Sequence, residues 1–130
     1  MFRCLAISVS VLWAGIAQAA TYDCTMKAGS GDRDFIPKTI RVTYDGGKAT
    51  VFDEFIQAKY GKPIAATFRQ RDASSLQFNW EAEVTYKRNR TSQADFQMIL
   101  RPGQGKSTLT VHVPGNIEPS QAKGKCRPGN

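Results

Sequence analysis

LQFNWEAEVTYK, residues 76–87, decides the fold. Leu76, Phe78, Trp80, Ala82, Val84 and Tyr86 alternate with Gln77, Asn79, Glu81, Glu83, Thr85 and Lys87. Side chains of an extended chain point to opposite faces in turn, so this segment is a long strand with one apolar and one polar face. The same alternation recurs along the chain. Tyr22, Cys24 and Met26 share one face, as do Ile40, Val42 and Tyr44 within KTIRVTYD. Asp45-Gly46-Gly47 then turns into KATVFD as a hairpin. Further strands are expected at residues 64–71, 94–101 and 107–114, with a last short one at Lys123–Cys126.

One stretch departs from period two. DEFIQAKYG, residues 53–61, opens on an acidic capping residue, carries Phe55, Ile56, Lys59 and Tyr60 at helical spacing and stops at Gly61, which predicts one short helix. About eight sequential strands with one apolar face each must stack or close, and closure removes exposed edges. The expected fold is therefore all-β, an up-and-down antiparallel β-barrel of about eight strands with one short helix. Trp80, Phe68, Phe78, Phe96, Met98, Leu100, Tyr44 and Tyr86 are expected inward, filling the barrel. That placement also makes Phe78, Trp80 and Tyr86 core residues and not an exposed stacking platform.

The chain has 130 residues, and its beginning predicts export. Residues 1–19, MFRCLAISVSVLWAGIAQA, combine Arg3, an apolar stretch from Leu5 to Ile16 and Ala17-Gln18-Ala19, the pattern of a cleaved signal peptide. The apolar part is too short for a membrane helix, which needs roughly 20 residues. Ala20 to Asn130 is then a single domain, secreted and periplasmic.

Cys4 leaves with the signal, so Cys24 and Cys126 remain. An even pair near opposite ends of an exported domain predicts a disulfide, closing a loop of roughly 100 residues worth up to about 4–5 kcal/mol in the chain-entropy model. A lipid anchor needs cysteine at the cleavage point, and Thr21, Tyr22 and Asp23 intervene. A redox thiol wants C-x-x-C and a structural zinc wants about four ligands. Two cysteines and one histidine supply neither, and no metal or cofactor is expected.

Catalytic patterns fare no better. His112, the only histidine, alternates outward from Leu109, Val111 and Val113. Glu81 and Glu83 have a spacing that glycoside hydrolysis can use, yet lie on a polar face where cross-strand cations are expected to pair them. GQGKST, residues 103–108, lacks the first glycine of a phosphate-binding loop and runs into a strand. A non-enzyme is predicted.

Charge gives the remaining signal. The formal balance is +7, of which only Arg3 leaves with the signal. A positive field outside the cytoplasm favours an anionic envelope component or an acidic protein; nucleic acid is not expected there. The densest run is Lys87-Arg88-Asn89-Arg90, placed at a strand tip, with Arg101 and Lys106 as candidate helpers in one anion contact. Asn89-Arg90-Thr91 also matches the N-glycosylation sequon.

The ends of the mature chain, Thr21-Tyr22-Asp23-Cys24 and Gly124-Lys125-Cys126, resemble those of small uncharacterised bacterial periplasmic β-barrel proteins and, more distantly, the MliC family of C-type lysozyme inhibitors. That resemblance implies inhibition through a Ser-Gly loop and a Lys-Gly loop. Ala28-Gly29-Ser30-Gly31 falls too early for the first and Tyr60-Gly61-Lys62 lacks the surroundings of the second, so no inhibitory residue carries over. Lysozymes of that type are basic, and two cationic proteins repel on approach. The expected function is thus a non-catalytic binding role at the cell envelope by a monomer that is not an integral membrane protein. The alternatives are inhibition of a lysozyme or other envelope enzyme, and carriage of a small apolar ligand inside the barrel.

Overall fold

The computed structural model describes residues 19–29, 35–86, 90–115 and 118–129. The predicted signal peptide lies outside them except for Ala19, as do Lys87, Arg88 and Asn89. Eight strands run in chain order: β1 (Ala20–Ala28), β2 (Thr39–Asp45), β3 (Lys48–Asp53), β4 (Ile64–Asp72), β5 (Ser75–Tyr86), β6 (Arg90–Arg101), β7 (Lys106–His112) and β8 (Ser120–Pro128). Each pairs antiparallel with the next and β8 returns to β1, so the sheet closes as an up-and-down barrel. At the closing seam Cys24 stands directly opposite Cys126, with the two sulfurs bonded. The predicted class, strand order and staple all hold. β6 begins at Arg90 and β8 at Ser120, both earlier than alternation alone suggested, because paired backbone extends past the apolar residues.

Period two fixes what fills the barrel. Phe78, Val84, Met98, Leu100, Leu109 and Val111 are fully buried, and Trp80 stacks on Phe96 with ring centroids 5.3 Å apart. Tyr22, Tyr44, Phe68 and Leu76 point the same way but remain half-buried. The Tyr86 side chain is outside the described residues.

The two barrel ends differ. One receives the helix α1 (Glu54–Tyr60), which joins β3 to β4 and drives Ile56 into the core. Asp53 caps it by accepting the Ile56 N–H at 2.8 Å, and Gly61 ends it in the left-handed region at φ 70°. Lys59 pairs with Glu83 at 3.1 Å, the Glu83 N–H donates to the Tyr60 hydroxyl, and Glu54 accepts the Lys38 N–H. The other end carries the three tight turns: the hairpin at Gly46 and Gly47, both at positive φ, the turn at Ala73-Ser74, and the 3-10 turn Pro102–Gln104.

Candidate functional site: a basic face across four strands

Alternation puts Lys123, Lys125 and Arg127 of β8 on the outer surface, with Gly124 and Cys126 facing in between. Register then decides their neighbours. Lys125 stands opposite Lys106 of β7, Lys123 opposite Lys27 of β1, and Lys106 opposite Arg101 of β6. Lys27, Arg101, Lys106, Lys123 and Lys125 line one surface groove of about 660 Å³, and among the described residues none that lines it is acidic. Like charges directly opposite on neighbouring strands destabilise a sheet, so this arrangement costs the fold stability.

Gly124 makes the underside of this face possible. A Cβ there would stand 2.5 Å from the Met26 sulfur and 2.6 Å from the Ser107 hydroxyl. Glycine therefore lets Met26 and Ser107, which touch at 3.6 Å, fill the barrel behind the lysines.

The neighbouring charges are already matched. Arg41 donates from Nε and Nη2 to the two Asp23 carboxylate oxygens, at 2.7 and 3.0 Å, and that hydrogen bonding holds the Asp23 carboxyl below its ordinary value. The other ion pair among the described residues is Lys59–Glu83. The five cations of the groove therefore face solvent without an acidic partner among the described residues.

Of the sequence-predicted contact residues, Arg101 and Lys106 meet as a register pair in this groove. Arg90 does not join them. It begins β6, whose other end is Arg101, and twelve residues of strand separate the two ends by about 36 Å. Lys87 and Arg88 precede Arg90 and lie outside the described residues. Among the described residues, the topology thus separates Arg90 from Arg101 and Lys106, because β6 carries the chain from one end of the barrel to the other. Lys27, Lys123 and Lys125 were missed. The spacing Lys-Gly-Lys-Cys-Arg already showed an outward row of cations, but only register shows which other cations flank it.

The acidic candidates go elsewhere. His112 is exposed, opposite Asp95, which in turn stands opposite Glu81. Glu81 therefore faces an acid across the strand, not the expected cation, while Glu83 takes its cation from α1. Among the described residues no group of three or more His, Cys, Asp or Glu is placed to hold a metal ion. No described helix is long and apolar enough to cross a membrane.

Comparison of the chain with protein families, with curated proteins and with solved structures gives no match.

Proposed function

We propose that this barrel is an exported, periplasmic, non-catalytic binding protein that engages an anionic component of the cell envelope through the face built by Lys27, Arg101, Lys106, Lys123 and Lys125. The observation that carries the reading is the juxtaposition of five cations on four adjacent strands, several directly opposite one another, with no acid among the described residues lining the groove. A fold that keeps like charges together at a cost to stability gains when a partner neutralises them. Glu81 and Asp95 stand opposite one another on β5 and β6 and do not line the groove, so its cations are left to an external anion.

Two other readings are less well supported. Inhibition of a basic lysozyme would bring a cationic face toward a cationic enzyme. Carriage of an apolar ligand within the barrel would need space that Phe78, Phe96, Met98 and Leu100 occupy.

The test is titration with vesicles containing an anionic phospholipid against vesicles of a zwitterionic one, across a salt series. Binding to the anionic vesicles should weaken steeply as salt rises past about 0.1 M, where the Debye length falls to about 10 Å. The double variant Lys106→Glu/Lys123→Glu should bind at least about tenfold more weakly, a loss of roughly 1.4 kcal/mol. Equal binding to both vesicle types, or an unaffected double variant, would remove the proposal.

A further inference from the structure

The barrel end opposite α1 remains open, and its chemistry differs from the rest of the surface. A cavity of about 530 Å³ lies between the three tight turns and the start of β1. That volume is within the range of small-molecule sites, which barrels often place in their mouths. Its walls are the half-buried inward side chains of Tyr22, Tyr44 and Phe68. The three rings are nearly parallel: Tyr44 and Phe68 have centroids 4.9 Å apart at 12°, and Tyr22 and Tyr44 6.4 Å apart at 5°. Phe78, fully buried, packs against Phe68 with its centroid 5.2 Å away. Aromatic side chains deeper in the barrel are sealed by their neighbours; these three keep an accessible side.

The rim is polar and uncharged. Gln70, Ser74 and Gln104 are exposed around the cavity, and among the described residues none that lines it carries a charge, although the chain has 29 lysine, arginine, aspartate and glutamate residues in all, 18 basic and 11 acidic. Asp72, beside the rim, turns its carboxylate onto the Ser74 N–H and hydroxyl at 2.8 and 3.1 Å. Burial, and then the neighbouring Tyr22, push the Tyr44 phenol above its ordinary value, so its hydroxyl keeps its proton at neutral pH.

We propose that the mouth is a second binding site, for a neutral saccharide whose apolar ring face packs on the exposed part of the Tyr22, Tyr44 and Phe68 rings while Gln70, Ser74 and Gln104 bond its hydroxyls. Sugars present an apolar ring face and an edge of hydroxyl groups that both donate and accept. Half-exposed aromatic rings match the first, amides and a hydroxyl match the second, and an uncharged rim avoids desolvating an unpaired ion. A purely apolar ligand would leave the rim amides unsatisfied, and an anion would go to the lysine face on the outer wall. This site shares no residue with that face except Gln104 at its border, and it does not depend on the anionic partner.

The experiment is an NMR titration of the whole mature domain with uncharged N-acetylglucosamine and glucose trimers at low and high salt. Shifts should concentrate at Tyr22, Tyr44, Phe68 and Gln104 for at least one trimer, with an affinity that salt leaves unchanged. Phe68→Ala should weaken binding by about fivefold or more. Because that change touches the core edge, Gln70→Ala and Gln104→Ala, both exposed, provide a second measurement and should each weaken binding while leaving the spectrum folded. Absence of shifts at the mouth with both trimers overturns the proposal. So does an affinity unaffected by the two glutamine variants, or displacement of the sugar by an uncharged apolar dye that itself binds independently of the rim. Anionic-vesicle binding by the Lys106→Glu/Lys123→Glu variant reports on the other face alone, so failure of one site is distinguishable from failure of the other.

Discussion

Asp53 combines two demands that conflict at neutral pH. Its carboxylate caps α1 by accepting the Ile56 N–H, which favours a charged oxygen at a helix start. It is also only 3% exposed, and its second oxygen has no hydrogen-bond partner among the described residues. Burial wins: it raises Asp53 to about 6, against the opposing pull of the Ile56 and Phe55 amides. A carboxyl raised in the fold stabilises the protein fully below its unfolded value, and that contribution is lost as pH rises through about 6. Asp53→Asn keeps a capping oxygen and cannot ionise. The variant should therefore match the wild type near pH 4 and exceed it near pH 7.5 by up to about 3 kcal/mol, read from urea unfolding at both pH values. Equal differences at both would show that Asp53 is not the titrating group. Asp23 and Asp72, both lowered by hydrogen bonds, act in the opposite sense and in a different window, since their contributions are lost only as pH falls through their lowered values.

At the scale of the strand, β8 is a compromise between packing and charge. Its inward residues are small, and Gly124 makes room for Met26 and Ser107, while its outward residues form a row of cations. Lys125 lies between Lys106 of β7 and Thr25 of β1. Removing its charge relieves a like-charge contact, so Lys125→Gln should raise stability at low salt by about 0.5 kcal/mol, with the gain disappearing in high salt. The same variant should bind anionic vesicles less well. Chemical denaturation at two salt concentrations measures the first effect. A loss of stability at low salt would mean that Lys125 holds the seam by its packed stem and not against it by its charge.

Closure is a property of the whole molecule. The β1–β8 seam is held by a continuous register from Tyr22–Pro128 to Ala28–Ala122 as well as by the cystine, whereas β3 and β4 share only three register pairs. The cystine spans 102 residues of sequence, for which the chain-entropy model gives about 4.7 kcal/mol. Cys24→Ser/Cys126→Ser should therefore lose about 2–5 kcal/mol in denaturant unfolding yet remain a closed barrel by circular dichroism, because the ladder persists without the bond. Collapse of the sheet signal in the double variant would show that the bond, and not the hydrogen bonds, closes the barrel.

Architecture was legible because its determinant is local. Alternation in residues 76–87 and in seven other segments fixes which side chains face inward, Gly46-Gly47 marks the β2–β3 turn, and one pair of cysteines near the ends identifies the first and last strands as neighbours. The candidate sites were not legible to the same degree. Arg101 and Lys106 are neighbours across one turn, but Lys27 and Lys123 are far from them in sequence and join them only through cross-strand register, and Arg90 leaves the cluster because a twelve-residue strand carries the chain to the opposite end. The aromatic residues of the mouth look like core residues in sequence. Only the position of α1 at one end and of three short turns at the other decides that Tyr22, Tyr44 and Phe68 keep an open side while Phe78 does not. Period two determines the face of the sheet that a residue occupies; its depth along the barrel and its neighbours across the strands are set by how the sheet closes.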